Sequence, residues 1–179
     1  RVAPEKALNL YRHGAQRDLM ERANDIRQKL HPGNEVTFVV DTNPNYTNVC
    51  TTDCNFCSFY RKPGHDDAYV RTPDELGRNA AQAQQQGATT VLLQGGHNPA
   101  LGLSYYQDVI EALQQHAPNM HLHLFSPSEI LHIAEQEGMS AHAVLQRLWD
   151  AGLRTMPGGG AEILVDTVRR KLSPKKTRS

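Results

Sequence analysis

Cys50, Cys54 and Cys57 are the only cysteines of the chain, and they fall within eight positions: Cys50-Thr51-Thr52-Asp53-Cys54-Asn55-Phe56-Cys57. A C-x3-C-x2-C spacing puts three thiolates on one short loop, where they can wrap a single metal centre. A four-iron iron–sulfur cluster normally takes four thiolates. With three, one iron keeps an open coordination site, and a small chelating ligand can bind there. The arithmetic points to chemistry at a cluster rather than electron storage. Other readings of the same residues stay open at this stage. A structural zinc site would need a fourth ligand, which His65 or His97 could supply as a Cys3His set. Redox sensing, or three unrelated thiols, are the remaining alternatives. A disulfide framework would want an even number of cysteines and a secreted context.

Such a loop must hang from ordered elements, and the pattern around it supplies them. Val36-Thr37-Phe38-Val39-Val40 is a β-branched run of the buried-strand kind, expected over 35–40. It leads straight into the cysteine loop. Thr72-Pro73-Asp74-Glu75 then reads as a helix start, with Thr72 as N-cap, Pro73 at N1 and Glu75 completing a capping box. That helix is expected to reach about Gln86 and to end at Gly87. Thr89–Leu93 reads as a second strand, followed by Gln94-Gly95-Gly96. Leu103–Ala117 reads as a helix with Ser104 as a possible cap. Met120–Phe125 reads as a third strand, whose alternation puts His121 and His123 on one face. Helices are expected from Ser128 to about Glu137 and from Ser140 to Trp149, then a short fourth strand over Leu153–Met156. Pro157-Gly158-Gly159-Gly160 follows, and a last helix over Ile163–Leu172. Before all of this, residues 1–30 carry two helices: Pro4 opens the first, Gly14 breaks it, and the second covers Asp18–Leu30.

Strands alternating with helices argue a parallel α/β sheet. In that architecture the C-terminal ends of the strands carry the active site. The cysteine loop, Gln94-Gly95-Gly96, Ser126 and the triple glycine all sit at such ends. The triple glycine opens a helix and alone could hold an anion, but it lacks the Lys-Ser/Thr of a phosphate loop. His121 and His123 are either packed or in contact with a substrate if their face is lined. Lys and Arg together number 19, as do Asp and Glu, so bulk charge points to neither nucleic acid nor an acidic membrane surface as a partner. No apolar run has transmembrane length. Free thiols imply a reducing, cytoplasmic compartment.

The aromatic residue before the last cysteine, Phe56, makes the loop C-x3-C-x-aromatic-C, which resembles the radical S-adenosylmethionine (SAM) superfamily. The flanking stretches narrow the likeness: Asn45-Tyr46-Thr47-Asn48-Val49-Cys50, Phe59-Tyr60-Arg61, Gln94-Gly95-Gly96-His97-Asn98-Pro99, Phe125-Ser126-Pro127-Ser128-Glu129-Ile130, and Pro157 through Leu164. In this order they are similar to the cyclic dehypoxanthinyl futalosine synthase (dehypoxanthine futalosine cyclase) family of the futalosine route to menaquinone. The resemblance runs from end to end of the chain and covers the N-terminal half of the family's members, which are on the scale of a full barrel.

The resemblance implies a TIM-type (β/α) barrel. Only about the first four β/α units are present, over 35–179, after a helical segment at 1–34, so the chain is expected to be truncated. It implies that Cys50, Cys54 and Cys57 ligate a [4Fe-4S] cluster and that S-adenosyl-L-methionine chelates the fourth iron. Reductive cleavage of SAM would then yield a 5′-deoxyadenosyl radical, with a reducing electron donor as partner. The radical would take hydrogen from the ribose C4′ of dehypoxanthine futalosine, and the resulting carbon radical would close onto the substrate's aromatic ring. Phe56 would shield the cluster and lie against the adenine, or simply pack the loop. Gln94, Gly95 and Gly96 would contact SAM, the glycines by letting backbone approach a ligand closely. Ser126 and Glu162 would reach its ribose or amino end, or act only as helix caps. Tyr60, Arg61, His97 and Asn98 are substrate-side candidates. The proton-accepting base has no assignment. Sister activities, aminofutalosine synthase or an FO synthase-type enzyme, and a non-catalytic iron–sulfur-binding fragment are the competing readings.

Overall fold

A computed structural model describes residues 2–159 and 163–175. The chain divides after Phe38 into two compact units. The first carries α1 (Pro4–His13) and α2 (Gln16–Leu30), separated at Gly14. Neither helix buries a residue. The Arg27 guanidinium closes the following turn by donating to the carbonyls of Gly33 and Glu35, each at 2.7 Å.

The second unit is α/β. Its sheet is parallel, in the order β1 (Asp41–Thr42), β2 (Thr90–Leu93), β3 (His121–Leu124). The register sets Asp41 against Thr90, and Thr90 against His121. The strand expected over 35–40 does not form there. Val36 and Phe38 are 79% and 83% exposed, and pairing starts only where the Val40 carbonyl accepts from Thr89 N–H at 2.8 Å. The cause lies in the neighbour: the β2 ladder begins only at Thr90, which pairs with Asp41. The fourth strand is reduced to one parallel bridge, His123 to Thr155, with Leu124 N–H donating to the Thr155 carbonyl at 3.2 Å.

Along β2 and β3 the side chains alternate. Val91, Leu93, Leu122 and Leu124 point into a layer of helices and are buried. α3 (Pro73–Gln85), α4 (Leu103–His116), α5 (Pro127–Glu137) and α6 (Ala141–Ala151) form that layer, with α3 against α4 and α6 against both α4 and α5. Tyr106, Ile110, Leu113, Ile133 and Leu148 fill it and are fully buried, each contributing about 1.5–3 kcal/mol relative to exposure. The opposite face carries His121 and His123, stacked with centroids 6.1 Å apart, and both rings meet the Thr155 hydroxyl at 2.7 and 2.8 Å.

Helix starts follow the capping chemistry, with some shifts. Thr72 and Glu75 form the expected capping box on α3. α4 begins at Gly102, not on a Ser104 cap: the Glu137 carboxylate from the end of α5 accepts from Leu103 N–H at 2.7 Å instead. α5 starts at Pro127 rather than Ser128, because Ser126 and Glu129 make a capping box around the proline. Ser140 caps α6 as expected, and Gly152 ends it with φ of 120°. α7 spans Asp166–Leu172, so the helix expected from Ile163 begins three residues later, with Val165 as its N-cap. Among the described residues no helix is long and apolar enough to cross a membrane.

Candidate active site

The loops after β1, β2, β3 and the Thr155 bridge meet around one cleft of about 310 Å³. Cys50, Cys54 and Cys57 all line it. So do Phe56, Tyr60, Gln94, Gly95, Gly96, His97, Ser126 and Gly158. Residues separated by more than a hundred positions thus share one wall, as the C-terminal edge of a parallel sheet requires. Glu162 lies outside the described residues.

The cysteine loop is a chain of short-range bonds. Cys50 N–H donates to the Arg61 carbonyl at 2.9 Å, and Cys57 N–H to the Cys54 carbonyl at 3.0 Å. Thr52 N–H points at the Cys50 sulfur, 3.4 Å away. Asp53 holds a left-handed backbone, φ 55°, which turns the loop between the first two cysteines. The thiols are free, Cys54 buried and the other two half-buried.

Gly95 and Gly96 have a role the sequence did not show. A Cβ on Gly95 would lie 2.5 Å from the Tyr46 ring. One on Gly96 would run into the Val49 carbonyl and come within 2.9 Å of Cys50 Cβ. Gly96 N–H also donates to the Thr47 carbonyl at 3.1 Å. The pair therefore admits the base of the cysteine loop against β2, and the close approach it allows is first to the chain's own backbone. Gln94 reaches across the cleft, donating to the Gly158 carbonyl at 3.2 Å. Phe56 is half exposed on the rim.

His97 joins two walls. Its Nδ1 lies 3.0 Å from the Thr52 hydroxyl and its Nε2 3.2 Å from the Ser128 hydroxyl, with His132 stacked on the ring at 4.9 Å. His65 instead accepts from Asp67 N–H at 3.1 Å, outside the cleft. Asn98 is buried, donating to the Thr47 hydroxyl at 3.2 Å and accepting from Ala100 N–H at 3.0 Å. Arg61 donates to the Tyr60 carbonyl at 3.0 Å and sits 3.7 Å from Asp67. Tyr60 reaches the cleft; Asn98 and Arg61 serve the loop behind it.

Sequence reasoning used Glu129 only as a helix start. Its carboxylate is 2% exposed and lies under the cleft floor. Oε1 accepts from Tyr46 O–H at 2.7 Å and Gly95 N–H at 3.1 Å. Oε2 accepts from Ser126 N–H at 2.7 Å and Ser126 O–H at 2.5 Å. Burial raises its pKa above the carboxylate range, while the Ser126, Tyr46 and Gly95 donors pull the other way. Burial and the neighbouring Glu129 likewise push the Tyr46 phenol well up. The signal was present in Ser126-Pro127-Ser128-Glu129, a capping box around a proline.

Among the described residues no three His, Cys, Asp or Glu side chains converge where a single ion could touch them all. A cluster asks for something else. Each thiolate takes its own iron, so the need is three thiols along one wall and a cradle beside it, and the cleft offers both. Gly95 and Gly96 let the base of the thiol loop close against that wall.

A parallel α/β layer whose strand-end loops bring three loop thiols to one cleft is a barrel-type α/β fold with its site at the C-terminal ends of the strands. The chain belongs to the radical SAM superfamily, whose model matches residues 44–179. It is similar to the cyclic dehypoxanthine futalosine synthase of Halalkalibacterium halodurans, 42% identical over 98% of this chain and 48% of that protein. It is also similar to the 5-amino-6-(D-ribitylamino)uracil–L-tyrosine 4-hydroxyphenyl transferase of Methanopyrus kandleri, 44% identical over 88% of this chain and 42% of that one. The chain thus spans about half the length of the relatives it matches. The fold resembles the crystal structure of methylornithine synthase, with a TM-score of 0.51 and 17% identity over 88% of this chain and 54% of that one.

Proposed function

We propose that the chain forms the cofactor-holding part of a radical SAM enzyme that cyclises dehypoxanthine futalosine on the way to menaquinone, in the cytoplasm. Cys50, Cys54 and Cys57 would each hold one iron of a [4Fe-4S] cluster, leaving the fourth for SAM. When bound, the two supply one-electron cleavage of SAM and a hydrogen-abstracting radical. The protein's share is placement and exclusion of water. Gly95 and Gly96 let the cysteine loop pack closely against the loop after β2, Ser126 and Gln94 set the far wall, and Phe56 covers the rim. The carrying observation is that all three thiols line the same cleft as the loops after β2 and β3. The futalosine substrate rests on the 42% relative, which this chain matches over 98% of its length.

Anaerobic reconstitution with iron and sulfide, dithionite reduction and addition of SAM test this reading. The expected result is 5′-deoxyadenosine, absent with Cys54→Ala. With dehypoxanthine futalosine present, a product lighter by two hydrogens is expected. A loaded cluster with SAM untouched would reduce the chain to an iron–sulfur-binding piece. The second relative favours one other reading, a 4-hydroxyphenyl transfer. Tyrosine with 5-amino-6-(D-ribitylamino)uracil is the substrate pair that would reveal it.

A further inference from the structure

We propose that Glu129 is the positioning residue of the cleft: its one buried carboxylate fixes the spacing of the three strand-end loops and so the shape offered to the ligand. The inference deepens the proposed function and rests on it for the identity of the ligand, SAM.

An ionised carboxylate has about four acceptor positions. Here all four are filled by donors, and the donors come from three separate segments. Tyr46 opens the cysteine loop, four residues before Cys50. Gly95 belongs to the loop after β2, and Ser126 to the loop after β3. His97, in the loop after β2, also reaches the cysteine loop through Thr52 and the loop after β3 through Ser128; Glu129 ties the same loops from beneath, with every acceptor position filled.

The two backbone bonds among these also aim a neighbouring group. A trans peptide points its carbonyl opposite to its N–H. With Gly95 N–H held down on Glu129, the Gln94 carbonyl is turned away from the buried side. With Ser126 N–H held likewise, the Phe125 carbonyl is fixed too.

The bonds fall beside the strained points of the backbone. Asn45, directly before Tyr46, has φ of 43°, and Phe125, directly before Ser126, has φ of 58°. A left-handed backbone is unfavourable for a phenylalanine. It persists only where the surroundings over-determine it. The Phe125 ring is fully buried, edge-on to Tyr106 at 5.2 Å and to Tyr46 at 6.0 Å. Packing holds the ring, and Glu129 holds the peptide that follows it. Fold stability alone is served by the apolar layer beneath. A buried carboxylate gathering loops at the mouth of the sheet adds orientation instead.

The test uses two variants of the whole chain. Glu129→Gln keeps the shape but offers one oxygen and sets an amide N–H2 against donors. Tyr46→Phe removes a single donor and keeps the ring. Both are expected to fold and to load iron and sulfide like the parent. SAM affinity should fall about tenfold for Glu129→Gln and a few-fold for Tyr46→Phe. The change that SAM produces in the EPR spectrum of the reduced cluster should shrink in the same order. Hydrogen exchange gives an arm independent of SAM: amides of Gly95–His97 and of Ser126 should exchange faster in both variants, while α4 is unchanged. Parental SAM binding and exchange in both variants would overturn the proposal. So would loss of fold, cluster and SAM binding in equal step, since that is what a merely structural residue would give. A parent that loads a cluster but ignores SAM would sink the SAM reading. The exchange arm would still decide the role of Glu129.

Discussion

The two walls of the cleft are built by different means. In the wall formed by Gly95, Ser126 and Glu129, the last two are buried and Gly95 half-buried, and the Glu129 carboxylate is satisfied within the protein. The wall formed by the cysteine loop leans on contacts that water can replace. Asn55 donates through its backbone to the Leu172 carbonyl at 2.8 Å and through its side chain to the Lys171 carbonyl at 2.6 Å. Lys175 donates to the Thr51 carbonyl and to Asp53, both at 2.7 Å. Phe56 is 50% exposed. Exposed hydrogen bonds and few apolar contacts mark the part of a structure that opens most easily. The difference suits the two tasks. A loop that must close its thiols around an inserted cluster needs room to adjust, whereas the wall that orients an organic ligand works best when preset.

The substitution with the largest expected effect acts where the two walls touch. Gly96→Ala puts a methyl against the Val49 carbonyl and Cys50 Cβ, both of them backbone or close to it. Neither can swing away as a flexible side chain would. A cost of about 1–3 kcal/mol is expected, as for other overpacked sites. Calorimetry should show a lowered melting temperature, and reconstitution should show fewer irons per chain. A normal melting temperature with full loading would mean that the walls are not in register through Gly96.

Phe56→Ala separates the walls instead. The side chain is half exposed and on the rim, so the melting temperature should shift by no more than about 0.5 kcal/mol would produce. Under the proposed function, the reduced cluster should bleach faster in air once its cover is gone. Absorbance decay after a fixed oxygen pulse measures this. Equal decay rates would return Phe56 to simple loop packing.

How far these walls could be read from sequence follows the same division. The cysteine loop is written in consecutive residues, so spacing alone disclosed it. Thr72 with Glu75, and Gly87 after α3, are local signals of the same kind. The strand at 35–40 misled because its β-branched run is a local preference, while pairing depends on where β2 begins. Ser126 was legible as a cap or a ligand contact, and it does act as a cap. Glu129 was harder, since its worth comes from Tyr46 and Gly95, 83 and 34 positions away. The glycines were legible as a close approach, but the approaching group proved to be the protein's own loop.

The smallest expected effect concerns the clasp on the cysteine loop. The hydrogen bond from Lys175, and then its charge, hold the Asp53 carboxyl below the usual aspartate range. A carboxylate whose pKa is lowered in the folded state stabilises that state above its unfolded pKa of about 3.9 and loses the contribution as pH falls through the lower, folded value. Asp53→Asn and Lys175→Met should therefore each be slightly less stable than the parent at pH 7. The difference should shrink steadily below about pH 4. The pair is exposed and screened, so it should also shrink in high salt. Neither substitution touches Gly95, Ser126 or Glu129. If the walls are as separate as their bonding suggests, hydrogen exchange will rise at Thr51–Asn55 and stay unchanged at Gly95 and Ser126. Exchange rising equally at both would show that the exposed clasp reaches into the buried wall, and the division drawn between the two would fail.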